Sequence, residues 1–366
     1  MINLYKIVFR YEPVKPSSFV CRPAAALLSF TDGQVEVFSP NSKCNQRLFK
    51  LPNFKTTGHT IDLLDDQLLI IGDQTIGARW QYLSIRKPRE GLLAPTFSKE
   101  VSPIKGSPHQ HTSYVNGNKL AVLGGGQNSK AVLDTDIWNK LNLRWKNNQS
   151  AFSGFTSSAC KVKVKTDSYL LIGGVLNEGD KGESTVLRIN LTEELVEEMP
   201  PIERARSHHS CELLEDSEVV LISGGTERRP NITSENVLLP DELYTISTGI
   251  SVPSATSLNR YQHRLIRLKE TIYAFGGFNS KGIPMTLVKK FNKTTTSWED
   301  DDDHLLSNHT GEVAVTAFPL ESIDCNEGCT CGVSRSNPAV RILNGKEAEV
   351  TPTFFDEVDI FPFATK

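Results

Sequence analysis

The chain lacks a charge excess of either sign: 40 Lys and Arg stand against 43 Asp and Glu, a formal net charge of −3 over 366 residues. Nucleic-acid binding wants a basic patch or stripe, so no nucleic-acid partner is expected. Long apolar runs are missing too. The best, residues 68–71, ends at Gly72, far short of the roughly 18 residues of a membrane span. Residues 1–10 contain no long apolar stretch and no small-residue cleavage site of a secretory leader. Either the protein is not exported by that route, or Met1 is not the natural start. Cysteine is sparse and odd in number, with seven at 21, 44, 160, 211, 325, 329 and 331, so at least one thiol is unpaired within the chain. Cys160 and Cys211 each begin a strand-like run and read as small buried hydrophobes. The three clustered cysteines of the tail lack a fourth ligand at zinc spacing, and no metal or cofactor is expected.

What is present points to a folded core: 38% of residues are hydrophobic and 23% charged. Four Gly-Gly doublets occur at Gly124-Gly125, Gly173-Gly174, Gly224-Gly225 and Gly276-Gly277, preceded by a degenerate Gly72-Asp73. They recur every 49–52 residues. Each ends a short apolar run: LLIIG, LAVLGG, LLIGG, VVLISGG and IYAFGG. Such runs bounded by glycine suit strands buried on both faces. Before each lies another strand-like run and a polar turn, which together predict a hairpin. His59, His111, His209 and His263 stand near the start of that first strand. Their common repeat phase puts them in different units, which favours structure over metal binding. Trp145 follows Gly125 by 20 residues and Trp298 follows Gly277 by 21; both read as packing residues on outer strands. Each unit of about 50 residues thus holds four strands.

A hydrophobic strand ending in Gly-Gly, with Trp about 20 residues on, resembles the kelch repeat, and the resemblance covers residues 24–318. It implies an all-β fold, a six-bladed kelch-type β-propeller. Residues 1–23 are read as an N-terminal extension, 24–318 as the propeller, and 319–366 as a short, irregular, Cys-containing tail. The sixth blade is expected to pair the run 312–318 with N-terminal strands at 24–30 and 35–51. If residues 305–306 and 313–318 instead open a separate blade, the count becomes seven. Closure removes the exposed edges that invite aggregation.

In this topology the loop after each doublet and the loop leading into the next blade lie on one face, where function is expected. Those loops carry Arg204, Arg206, His208, Arg228, Arg229 and Arg260. They suggest a locally basic face for a protein or peptide ligand with acidic groups, because guanidinium grips carboxylates bidentately. An arginine just before a blade's first strand also has a structural use, holding backbone carbonyls. A monomeric, non-catalytic binding module is the expectation. The alternative is a propeller enzyme acting on a sugar, since kelch-like propellers include sugar isomerases. The Asp300–Asp303 run reads as a solvated loop.

From Cys325 the character changes. Cys329, Cys331, Gly332, Arg341, Ile342 and Gly345 are similar to the segment that opens arthropod trypsin-like serine proteases, where cleavage after the Arg frees an Ile N-terminus. The resemblance spans 325–350 and implies cleavage between Arg341 and Ile342. A Ser-His-Asp triad needs a folded domain, and 366 residues leave no room for one after Arg341. The chain would then be an accessory region of a secreted protease-related protein. Sequons at Asn148, Asn190, Asn231, Asn292 and Asn308 are candidate glycosylation sites. With the tail they point to an extracellular protein; the cytoplasm is the alternative.

Overall fold

The computed structural model describes residues 158–165, 168–175, 181–190, 192–193, 195–214, 218–230, 235–306 and 311–319. It also describes segments 5–6, 24–40, 46–50, 58–64, 67–71, 82–86, 94–98, 111–116, 119–123, 126–127, 130–131, 135–139, 144–147, 325–326, 330–331 and 361–362. Among these the fold is all-β, without a helix, and the strands form a propeller-like arrangement of antiparallel sheets. Arg341, Ile342, Gly72, Gly124, Gly125, Asn148, Asn231 and Asn308 lie outside the described residues, as does the side chain of Trp145.

Four of the described sheets are four-stranded meanders. One joins Cys160–Lys163, Ser168–Ile172, Val186–Asn190 and Leu195–Met199 in order. The next joins Ser210–Leu213, Val219–Ser223, Glu242–Thr245 and Ile250–Pro253, and the next Arg264–Leu268, Thr271–Phe275, Leu287–Asn292 and Ser297–Leu305. Thr112–Asn116, Lys119–Leu123, Thr135–Asn139 and Arg144–Asn147 pair in the same way. Val313–Pro319 pairs antiparallel with Ala24–Phe30 over seven residues, and Gln34–Phe38 and Gln46–Lys50 complete that sheet. Val313–Pro319 is therefore the first strand, in spatial order, of a sheet otherwise built from N-terminal segments.

The apolar runs are buried because blades stack face to face. In Ser168–Ile172 every residue is buried, whereas the outer Leu195–Met199 is half exposed. A strand covered on both faces has no reason to alternate polar with apolar. Both glycines of each described doublet have positive φ: 63° and 99° at 173–174, 57° and 83° at 224–225, 62° and 84° at 276–277. A Cβ at Gly173 would lie 2.7 Å from the Arg206 carbonyl oxygen and from His209 Cε1 of the following blade. The doublet is thus a place where two blades' backbones meet, which explains why it repeats. Gly174 N donates to Arg206 O at 2.9 Å, Gly225 N to Arg260 O at 2.9 Å, and Gly277 N to Gly311 O at 2.7 Å.

Two expectations are corrected. Cys160 and Cys211 are buried, at 6% and 4% exposure, but they form a disulfide rather than acting as free hydrophobic thiols. Cys160 faces the next blade and Cys211 the preceding one, with Cα atoms 5.7 Å apart, so one residue per blade of the right phase suffices. The Asp300–Asp303 run lies within the nine-residue strand Ser297–Leu305 rather than in a loop, at a bulge that interrupts its ladder with Leu287–Asn292 between Asp300 and Leu305. Asp300 pairs with Lys289 of the neighbouring strand at 2.7 Å, and buried Asp301 reaches His304 Nδ1 at 3.0 Å. Cross-strand charge pairing makes an acidic strand tolerable. Trp298 packs edge-on to Phe291 at 5.1 Å, and its indole donates to Asp241 of the preceding blade at 2.7 Å.

Candidate functional site: the loop face

Three of the six predicted contact residues point into the fold. Arg206 is fully buried. Its guanidinium donates to Gly224 O and Pro240 O, both at 2.9 Å, and forms an ion pair with equally buried Glu242. Burial draws its pKa down, against the opposing Glu242 charge. Arg260 repeats the device one blade on, donating to Gly276 O at 3.2 Å and Leu287 O at 2.8 Å; burial lowers its pKa to about 10. Each arginine thus clamps its own blade with its side chain, while its carbonyl accepts from the preceding blade's doublet. A guanidinium so committed has little left for a carboxylate ligand.

His208 is also buried, with φ of 57°. Its Nδ1 lies 3.0 Å from Ser207 Oγ and its Nε2 3.1 Å from Ser158 Oγ. Burial first, then the charges of Arg229 and Arg264, lower its pKa to about 3, so the ring is neutral near pH 7.

His208 belongs to a girdle that the sequence reading missed. Gly58, Ser158, His208 and Gln262 precede the first strands of four blades, and all have φ between 57° and 64°. His208 N donates to Ser158 O at 3.1 Å and Gln262 N to His208 O at 2.7 Å. Gln262 Nε2 then donates to Glu312 Oε1 at 3.0 Å, and Gly58 N to Glu312 Oε2 at 2.8 Å. The girdle therefore runs from blade to blade on the loop face. Burial raises the Glu312 pKa, opposed by Arg264 and by these two donors. A shared phase in the repeat was the available signal, but Gly, Ser, His and Gln share no chemistry that would flag it.

The repeat histidines serve the same joints. His59 Nε2 lies 3.0 Å from Ser29 O, His111 Nε2 lies 2.9 Å from Thr60 Oγ1, and His209 packs at Gly173. Burial lowers the His59 pKa to about 4 and holds His209 and His263 neutral. Among the described residues no cluster of three metal-ligating side chains occurs.

Of the six predicted residues, Arg204 and Arg228 are exposed and Arg229 partly exposed. The loop that bears the last two is held by backbone bonds from Gly182 N to Glu227 O at 2.7 Å and from Thr226 N to Ser207 O at 3.0 Å. Downstream, Asn236 N donates to Ser280 O at 2.8 Å, tying this loop to the 279–283 turn of the next blade. Val237 and Ile283, on these joined loops, are 76% and 54% exposed. The face therefore combines cations on a backbone-braced loop with uncovered apolar side chains.

No protein family's profile and no curated protein matches the chain. Among solved structures it is similar to that of YjhT, with a TM-score of 0.57 and 12% identity, covering 80% of this chain and 99% of that one. At that identity the likeness concerns the fold alone.

Proposed function

We propose that the chain is a six-bladed kelch-type propeller whose loop face binds an acidic segment of another protein, without catalysis. Arg228 and Arg229 on a braced loop carry this reading. A loop already ordered by hydrogen bonds to its neighbours loses little entropy on binding, and paired guanidiniums select carboxylates. Val237 and Ile283 add an apolar contact, so the preferred segment places an apolar residue beside its acidic ones. Arg204 completes the cationic set; Arg206, His208 and Arg260 support the blades beneath it. The six-blade count rests on the closing sheet, on the four-stranded units at 112–147, 160–199, 210–253 and 264–305, and on counting the separate pairs Thr60–Leu64 with Gln67–Ile71 and Tyr82–Arg86 with Ala94–Ser98 as one further blade. No helix among the described residues is long and apolar enough to cross a membrane.

The same reading places the protein outside the cell. A disulfide joining two blades persists where the environment is oxidising, and Cys160–Cys211 is such a bond. The test of binding is an array of Asp/Glu-containing peptides probed with the full chain and with a variant carrying Arg204→Glu, Arg228→Glu and Arg229→Glu. Capture by the wild type should weaken with salt and fall at least tenfold in the variant. Equal capture by a correctly folded variant rules out the cationic face.

A further inference from the structure

We infer that Asn190 and Asn292 are N-glycosylated on the face opposite the binding loops. The inference rests on the extracellular reading above. Both residues head Asn-x-Thr sequences, with Thr192 and Thr294 two residues on. They occupy the same place in two blades: Asn190 ends Val186–Asn190 and Asn292 ends Leu287–Asn292, each the third strand of its meander.

Register fixes the face. Ile172, next to the doublet, pairs with Val186, whereas Asn190 pairs with Ser168 at the strand's far end. In the other blade, Asn292 follows Phe291, which pairs with Ile272, next to the start of Thr271–Phe275. Each acceptor therefore lies roughly 13–17 Å along its strand from the loop face, at about 3.3 Å per residue.

The two turns are built alike. Asn190 Oδ1 accepts from Thr192 N at 2.9 Å and Glu193 N at 3.0 Å. Asn292 Oδ1 accepts from Thr294 N at 2.9 Å and Thr295 N at 3.2 Å. The amide nitrogens donate one hydrogen each to a surface carboxylate, Glu193 at 3.0 Å and Glu299 at 2.6 Å. Glycosylation replaces one of the two amide hydrogens, so the carbonyl bonds and one N–H donor survive it. Thr192 and Thr294 are exposed. A surface depression of about 310 Å³, lined by Thr271, Lys290, Asn292 and Thr294 among others, adjoins the second acceptor and leaves room for the first sugar.

In the transfer, the Asn Nδ2 attacks C1 of an oligosaccharide carried on a lipid pyrophosphate. The C1–N bond forms, the C1–O bond to pyrophosphate breaks, the lipid pyrophosphate leaves, and the amide proton passes to a base of the transferase.

The test has two arms. In the first, the full chain is secreted from eukaryotic cells behind a cleavable leader, and its peptides are mapped by mass spectrometry. Release of glycans in heavy-oxygen water then marks each former site as Asp. Both sites should carry N-acetylhexosamine, and Asn190→Gln and Asn292→Gln should each remove one glycan step on a gel. Recovery of both peptides unmodified from secreted protein bearing the Cys160–Cys211 bond overturns the inference whatever the natural compartment. In the second arm the protein is taken from its native source. Occupied sites support both readings; bare sites with free Cys160 and Cys211 thiols overturn the extracellular reading and natural glycosylation together.

Discussion

His208 shows how one position can look like a ligand contact and act as a joint. Its ring sits where Arg229 and Arg264 oppose protonation and where burial removes water. The folded pKa, about 3, lies below the ordinary 6.5. The folded state therefore keeps the ring neutral while the unfolded chain takes up a proton. The stability this neutral ring contributes is present above pH 6.5 and is lost as the pH falls from 6.5 toward 3. His208→Asn removes that dependence while keeping a residue tolerant of positive φ. Denaturation at pH 7.5 and pH 5 should show the stability difference, wild type minus variant, falling by about 2 kcal/mol at the lower pH. A difference that does not change with pH shows that the ring takes up its proton in the fold as readily as in the unfolded chain. The arginines carry a related lesson about what the sequence reveals. Arg204 and Arg206 are two residues apart, yet one is exposed and the other fully buried. Sequence names the cation but not its acceptors, Gly224 O, Pro240 O and Glu242, up to 36 residues away. The recurrence of Arg two residues before His208 and again before Gln262 was the legible sign of a structural role.

Among the elements, the doublet strands were legible because burial on both faces demands an unbroken apolar run. Ser297–Leu305 was hidden because its acidic residues obscure its pairing with Leu287–Asn292. The disulfide was hidden for another reason: Cys160 and Cys211 are 51 residues apart, about one repeat, which places them in adjoining blades, but not which way each faces. Its two sulfurs lie within an apolar cluster with Val162, Ile172, Val220, Ile222 and Tyr244. Closing a loop of that length stabilises by about 4 kcal/mol through the unfolded chain. Replacing both cysteines with Ala should lower the denaturation free energy by several kcal/mol and make the midpoint insensitive to reductant. A wild-type midpoint that reductant leaves unchanged, although both thiols become free, shows that the bond adds no stability.

At the scale of the whole molecule, a long ladder joins distant segments of the chain. Val313–Pro319 supplies seven residues of ladder to Ala24–Phe30. The cluster beneath it joins Ala26, Leu28, Phe30 and Phe38 to Ile266, Tyr273 and Phe275 of the blade before it. Phe38 meets Phe275 edge-on, ring centres 4.8 Å apart, and lies tilted against His304 at 4.6 Å, so the closing sheet is packed sideways as well as paired. Glu312, one residue ahead of the strand, ties Gly58 on one side to Gln262 on the other. Truncation after residue 312 removes the ladder, exposes an apolar edge at Ala24–Phe30, and opens one face of that cluster. Hydrogen exchange should then accelerate in 24–38 and also in 264–275, which lies in a different sheet, and unfolding should lose cooperativity. Acceleration confined to 24–38 would mean that the blades are stable one by one. Loss in both would mean that the closing strand holds the loop face together, because the girdle and the braced arginine loop depend on blades held in register by their neighbours.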